Sequence, residues 1–208
     1  MRIELAKRLN EKIFYGWSIV LAAGLLTFFG TGFFSYTRGF FLPELADALD
    51  GGDRFFISLG FSLATMTGAL ISPAVGRYLD RGSPKKIIFL GIVINSFFYL
   101  VLSLTSSLLA FYIAVSIGLG VGMICMGGFT HHRAILNWFD HWRGRAVSVA
   151  VLGASLAGVA MPPVVESLIT NYGWQTTYQV FALVLILGLS PMVWLFFVDQ
   201  PEEINEVR

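Results

Sequence analysis

Five stretches without Lys, Arg, His, Asp or Glu constrain the fold of this chain more than any other feature. They lie between Lys12 and Arg38, Arg54 and Arg77, Lys86 and His131, Arg145 and Glu166, and Glu166 and Asp199. An α-helix that crosses a bilayer needs about 20 apolar residues, so the third stretch holds two spans and each of the others holds one. The lengths predict six transmembrane helices, near residues 15–37, 55–78, 86–105, 109–138, 144–169 and 174–197.

The composition excludes several other classes of protein. Only 13% of the residues are charged, against about 25% in a typical soluble domain, and the mean hydropathy is +0.73. A net charge of +1 provides no basic face for nucleic acid, and a single cysteine excludes a disulfide framework or a multi-thiolate metal site. We therefore expect an all-α membrane protein in a lipid bilayer, with no nucleic-acid partner, no metal and no cofactor.

The positive charges predict the orientation in the membrane. Most of the 14 Lys and Arg residues lie before the first span, between the second and third spans, and between the fourth and fifth spans. By the positive-inside rule, both termini are cytoplasmic. We interpret residues 1–14 as a cytoplasmic segment, 15–198 as the transmembrane bundle and 199–208 as the start of a cytoplasmic linker, in a plasma (inner) membrane.

The connection between the second and third spans places one carboxylate among basic residues. It reads Gly76-Arg-Tyr-Leu-Asp80-Arg81-Gly-Ser-Pro-Lys85-Lys86. One interpretation is a turn with charges that stop translocation. The other is that Asp80 lies at a helix amino terminus and binds its basic neighbours, forming a latch that opens when two bundles rock apart.

This connection resembles the Gly-x-x-x-Asp-Arg-x-Gly-basic-basic pattern of the major facilitator superfamily. Five residues match it: Gly76, Asp80, Arg81, Lys85 and Lys86. Ser83 stands at the second glycine of the pattern and Pro84 at a position that is often basic. The resemblance implies a secondary transporter, and it assigns the latch to these five residues.

Further motifs resemble one branch of that superfamily, which contains monocarboxylate transporters and oxalate/formate antiporters. They are Tyr15-Gly-Trp17, Phe40-Phe-Leu-Pro-Glu44, Gly118-x-Gly-x-Gly122, Asn137-Trp-Phe139, Arg143-Gly-Arg-Ala146, Pro162-Pro163 and Gly173-Trp174. Such transporters have twelve helices in two halves. The resemblance implies that this chain is an amino-terminal half with a three-plus-three inverted repeat, and that it needs a second six-helix bundle, either a carboxy-terminal half or a second copy.

Ionisable residues inside predicted spans are functional candidates because burying charge in a membrane is costly. Arg133 lies about 10 Å from the inner end of the fourth span, with His131 and His132 slightly deeper. One interpretation is that Arg133 binds a substrate carboxylate while a histidine couples a proton. The other is that Arg133 extends to the cytoplasmic interface.

Arg38 and Glu166 are predicted at the same outer level, about 31 Å from the inner ends of their spans. They could form an outer gate pair, or each side chain could extend separately to the lipid headgroups. Arg133 and Glu166 differ in depth by about 20 Å, so these two should not pair.

The leading hypothesis is therefore a transporter of a small organic anion, such as a monocarboxylate, that works by alternating access. We expect no enzyme, because no pairing of a nucleophile with a base is found, and no water channel, because paired Asn-Pro-Ala motifs are lacking. A stand-alone six-helix homodimeric scaffold or an inactive transporter fragment remains the alternative.

Overall fold

Helices make up the whole architecture in the computed structural model, which describes residues 15–49, 53–139 and 141–199. The first helix, α1, consists of Gly16–Thr31, a π-helical turn at Gly32–Tyr36, and Arg38–Ala48. It is followed by α2 (Arg54–Leu79) and α3 (Pro84–Ser103). The fourth helix, α4, runs as Leu108–Ile113, a π-helical turn at Ala114–Leu119, Gly120–Met126 and Gly128–Trp138.

The remaining two helices follow each other without an intervening loop, and the chain turns between them at Gly173. Helix Arg143–Leu183 contains Gly173 at φ 81° and ψ 163°, which is not a helical conformation. With the segments that follow, Val184–Leu189 and Ser190–Phe196, the helical stretch covers 54 residues. A straight helix of that length would be about 80 Å long, far more than the hydrocarbon core of a bilayer. Gly173 therefore separates α5 (143–172) from α6 (174–196), and the six predicted spans are all present as helices.

The outer surface is apolar, as lipid requires. Large side chains such as Leu104, Leu156, Val159, Phe97 and Leu187 are exposed on the helices. The helices also satisfy their backbone polar groups internally, which hydrocarbon demands. The chain is an integral membrane protein.

Aromatic stacking fills the interior between α1, α3 and α6. The rings of Phe41 and Tyr178 stack with centroids 4.2 Å apart, and those of Phe33 and Phe181 stack at 3.9 Å. Tyr99 of α3 stacks on Tyr178 at 5.7 Å. These contacts join α3 and α6 to the outer half of α1.

Glycines set the closest helix crossings. A Cβ on Gly153 of α5 would collide with the backbone oxygen of Gly24 in α1. A Cβ on Gly91 of α3 would lie 2.6 Å from the backbone nitrogen of Met126 in α4. Small residues let transmembrane backbones approach each other in this way.

The structure differs from the sequence prediction at two helices. The prediction ended the first span at residue 37, whereas α1 resumes at Arg38 and continues to Ala48, with Pro43 inside it. The fourth span was predicted as one uninterrupted helix, whereas α4 breaks at Gly127, which has extended backbone angles (φ −76°, ψ −173°). The predicted terminal segment 1–14 and nearly all of the predicted linker, residues 200–208, lie outside the described residues.

We predict that Gly153→Ala destabilises the bundle by about 1–3 kcal/mol, because the added methyl group meets backbone that cannot move aside. Thermal unfolding of the detergent-purified protein would measure the change. Gly24→Ala is the matched control in the same crossing, since its Cβ would lie 3.8 Å from the oxygen of Ala150, an ordinary contact. Equal unfolding midpoints for the two variants would contradict this packing.

Candidate functional site

Two adjoining cavities lie on one side of the bundle, between α1, α2 and α4. The outer cavity has a volume of about 430 Å³ and is lined by Ser35, Tyr36, Arg38, Leu42, Ser58 and Ser62, among others. The central cavity, about 440 Å³, is lined by Thr31, Phe34, Arg38, Thr65, Gly68 and Phe129, among others. Both cavities contain Ser35 and Arg38 in their walls, so Arg38 lies at the boundary between them.

Four glycines and the break in α4 form part of the wall of the central cavity. Gly68, Gly120, Gly127 and Gly128 all line it and contribute no side chain. A Cβ on Gly120 would meet the oxygen of Ala64, so α2 and α4 are as close as their backbones allow at this level. Beyond the break, the helix Gly128–Trp138 begins on the cavity wall. Its amino terminus carries the partial positive charge of a helix dipole.

Arg38 is exposed, and it has neither a hydrogen bond nor an ion pair within the described parts of the chain. Glu166, its predicted partner, is exposed on α5. No ion pair joins the two side chains in this conformation, so the outer gate stays a prediction for another state.

Arg133 lines a third cavity, on the inner side of the central one. This cavity of about 370 Å³ also contains Gly76 and Asp80, the first two residues of the loop motif. Phe129 belongs to both the inner and the central cavity and is 72% exposed. The structure thus places Arg133 with the loop motif rather than in the central cavity.

The two predicted histidines face a separate, smaller cavity of about 120 Å³ between α1, α4 and α5. His131 is buried, and its Nε2 lies 3.1 Å from the hydroxyl oxygen of Thr27. His132 is partly buried, and its ring lies 4.9 Å from that of His131. Arg133 does not line this cavity, so the three neighbouring residues of α4 serve two different sites.

The loop motif divides into exposed and buried parts. Asp80, Arg81 and Lys86 are exposed, and Gly76 has open space where a Cβ would lie. The predicted position of Asp80 is wrong: it caps the carboxyl end of α2 and is not at a helix amino terminus. The helix α3 begins four residues later, at Pro84, and Ser83 is its N-cap.

Lys85 also differs from the prediction of a latch residue that faces a second bundle. Its side chain is 6% exposed, and Nζ donates a hydrogen bond of 2.6 Å to the carbonyl oxygen of Trp194 in α6. The same Nζ lies 4.7 Å from the centroid of the Trp194 ring. Lys85 therefore binds within this bundle, joining α3 to α6.

A carboxylate that sequence reasoning did not select caps α3. Asp199 accepts hydrogen bonds from the hydroxyl of Ser83 and, at 2.9 Å, from the backbone N–H of Lys85. An acidic group at a helix amino terminus satisfies unpaired N–H groups and complements the helix dipole. The Ser83-Pro84 pair signals the start of this helix in the sequence, but its acidic partner lies 116 residues away.

Further hydrogen bonds hold the end of α6 against α1 and α4. The indole nitrogen of Trp138 donates to the oxygen of Val198 at 2.9 Å, and the hydroxyl of Tyr15 donates to the oxygen of Phe196 at 2.7 Å. Asn137 donates to the backbone oxygen of Asp199 at 3.2 Å. We call this group, with Ser83, Lys85 and Asp199, the inner junction. It fixes the point at which the chain leaves the bundle.

Comparison with known proteins agrees with this architecture. A sequence profile of the Major Facilitator Superfamily matches residues 5–208. The uncharacterized MFS-type transporter YcxA of Bacillus subtilis is 31% identical over 172 residues, which cover 81% of this chain and 42% of that protein. Monocarboxylate transporter 13 of Rattus norvegicus is 26% identical over 185 residues, covering 85% of this chain and 39% of that protein.

A third relative is the fujikurins efflux protein of Gibberella fujikuroi, 25% identical over 174 residues, which cover 84% of this chain and 37% of that protein. The chain therefore spans about two fifths of the length of these relatives.

We predict that Asp199→Ala destabilises the protein by about 2 kcal/mol, because two hydrogen bonds to the cap of α3 are lost. The unfolding midpoint of the purified protein should fall accordingly. Glu166→Ala is the control, since it removes an exposed carboxylate from α5. A midpoint for Asp199→Ala that equals the control's would show that the inner junction contributes no stability.

Proposed function

The chain belongs to the major facilitator superfamily, and we propose that it forms the amino-terminal half of a secondary transporter that moves small organic anions by alternating access. The observation that carries this proposal is Arg38, a cation without a partner among the described residues, on the wall shared by the outer and central cavities. A second six-helix bundle would cover this side of the molecule and complete the site.

The surroundings of Arg38 favour a small anion. Hydroxyl groups of Ser35, Ser62 and Thr65 line the same two cavities, and the amino terminus of the helix beginning at Gly128 adds a positive dipole. Each cavity has a volume within the range of about 300–1,000 Å³ that small-molecule sites occupy. A guanidinium can bind a carboxylate through two parallel hydrogen bonds.

A monocarboxylate is the substrate class that we propose. One relative carries the name monocarboxylate transporter, and the Tyr15-Gly-Trp17 and Phe40-Phe-Leu-Pro-Glu44 motifs resemble that branch. Another relative is named as an efflux protein for fujikurins, so export of a larger compound is the competing possibility. Uptake and export assays with lactate, a monocarboxylate, and oxalate, a dicarboxylate, would distinguish the direction of transport and the number of carboxylates on the substrate.

The inner cavity, which Arg133 lines, would serve the cytoplasmic step of the proposed transport cycle. Arg133 would attract the anion on the cytoplasmic side, and Phe129 lies between it and the central cavity. Exposed Asp80, Arg81 and Lys86 are free to meet a second bundle and act as the latch, whereas Lys85 serves the inner junction. In the opposite state, Arg38 and Glu166 would close the outer side.

We further propose that the protein resides in the plasma (inner) membrane with both termini in the cytoplasm.

The proposed orientation predicts opposite accessibility at the two ends of the bundle. In a Cys125→Ser background, which removes the one native cysteine, Asn171→Cys should react with an impermeant maleimide in intact cells. Lys86→Cys should react only after the membrane is opened. Labelling of both positions from the same side would reject the topology, and the Cys125→Ser protein alone measures background labelling.

We predict that Arg38→Gln lowers the uptake of radiolabelled lactate and oxalate by about tenfold or more in proteoliposomes of the full-length transporter, because a charge-assisted hydrogen bond to the substrate is lost. Arg38→Lys should retain part of the activity, since it keeps the charge but not the paired geometry. Arg145→Gln is the matched control: this exposed arginine stacks on Trp142, 4.4 Å away, outside the two cavities. Equal uptake by Arg38→Gln and Arg145→Gln would exclude Arg38 from the site.

A further inference from the structure

One histidine is enclosed where α1 crosses α4. His131 is 1% exposed, and both of its ring nitrogens have a neighbour. Nδ1 lies 3.2 Å from the carbonyl oxygen of Met126, and Nε2 lies 3.1 Å from the hydroxyl oxygen of Thr27. That hydroxyl also lies 2.8 Å from the carbonyl oxygen of Ala23, one turn back in α1. Four groups thus form a chain of hydrogen bonds from α4 into α1.

The number of hydrogen atoms in this series of hydrogen bonds is compatible with two protonation states of His131. A carbonyl oxygen only accepts, so Nδ1 must carry a hydrogen and donate it to Met126. In the neutral ring Nε2 is an acceptor, and the single hydroxyl hydrogen of Thr27 turns toward it. In the protonated ring Nε2–H donates to the Thr27 oxygen, whose hydrogen turns back to Ala23. Every donor finds an acceptor in both states, and one hydroxyl rotation separates them.

We propose that His131 is the proton-binding site of the transporter and that Thr27 is its positioning residue. The Thr27 hydroxyl, on α1, changes its hydrogen-bond partner when His131, on α4, gains or loses a proton. This inference rests on the proposed function and adds the coupled ion to it. The step is a simple proton transfer: Nε2 of His131 takes one proton from a hydronium ion that enters the cavity or returns it to water, no other covalent bond changes, and the Thr27 hydroxyl rotates.

The surroundings of His131 limit the site to one proton. Its cavity of about 120 Å³ is lined by α1, α4 and α5, and among the described lining residues the other titratable group is His132. The two rings are perpendicular with centroids 4.9 Å apart, so two imidazolium charges would repel each other strongly. Val151 of α5 and Thr27 and Thr31 of α1 also line the cavity, and none of these side chains titrates.

The proton site and the proposed anion site share a wall. Thr31, Met123, Gly127 and Gly128 line both the histidine cavity and the central cavity, where Arg38 lies. A carboxylate held in the central cavity would stabilise a positive charge on His131, and a charged His131 would in turn strengthen binding of the carboxylate. Met126, which accepts from Nδ1, precedes the break at Gly127, so His131 also ties the two parts of α4 together.

Direct titration tests the proton site without any assumption about substrate. The full-length protein, labelled with isotopic nitrogen in its histidines, would be followed by nuclear magnetic resonance in detergent from neutral to acidic pH. The signals that disappear in a His131→Gln variant are those of His131, and His132→Gln and His141→Gln variants assign the other two histidines of this sequence. We expect His131 to gain a proton reversibly, with Nδ1 protonated in both states. A ring that stays neutral over the whole range would overturn the proposal.

Thr27 variants test the positioning role in the same measurement. Thr27→Val keeps the shape but removes the acceptor for Nε2–H, so we expect about tenfold weaker proton binding by His131, whereas Thr27→Ser should restore it. Thr177→Val is the matched control, because the hydroxyl of Thr177, like that of Thr27, donates to the carbonyl four residues back, at 2.9 Å, but in α6 and far from His131 in sequence. Equal proton binding in Thr27→Val and Thr177→Val would overturn the role of Thr27.

Transport measurements separate this proposal from the proposed function. In proteoliposomes, Thr27→Val and His131→Gln should lose accumulation of lactate or oxalate driven by a pH gradient by about tenfold, while exchange of labelled for unlabelled substrate continues, because exchange needs no net proton movement. Loss of exchange to the same degree would assign His131 a structural or substrate-binding role and overturn the proposal. If the unmodified transporter moves neither compound, the substrate class is wrong, and the histidine titration still decides the proton site.

Discussion

Hydrocarbon as the surrounding medium is the constraint on which the rest of this structure depends. Without water, every backbone N–H and C=O must be paired within the protein, so the chain crosses as helices and departs from regular helical geometry only where protein or a cavity replaces the lipid. The break at Gly127 follows this rule, since it lies on the walls of both the central and the histidine cavity. The irregular backbone at Gly127 thus lies where the molecule can bind a ligand.

Glycine allows close approach of backbones at several points around the candidate site. At crossings such as Gly153 against Gly24, it allows backbones to touch and holds α5 against α1. Along the central cavity, Gly68 and Gly120 likewise bring α2 close to α4, since a Cβ on Gly68 would lie 3.1 Å from the backbone oxygen of Gly120. Close contact of α5 with α1 and of α2 with α4 keeps the bundle well packed beside the cavities that Thr27 and Arg38 line.

The inner junction complements this arrangement at the end of the bundle that carries the loop motif. Asp199 caps α3, and Lys85 and Trp138 donate hydrogen bonds to backbone oxygens of the last helix or of the segment after it. These contacts join four helices near the point where the chain continues toward the proposed second bundle. In the proposed alternating access, a bundle that moves as one body would gain rigidity from such a connection.

Much of the fold follows from the sequence alone, because span length, charge distribution and the loop motif are local properties. They determined the six helices and the family, and they selected Arg38, Arg133, His131 and His132 as candidates. They could not assign faces, since spans that are apolar all round carry no helical periodicity. Only the tertiary structure separated Arg133 from the histidines, placed Lys85 inside the bundle and moved Asp80 to the end of α2. It also joined Thr27 to His131 and Ser83 to Asp199, pairs 104 and 116 residues apart, because such contacts depend on how helices pack rather than on what each helix contains.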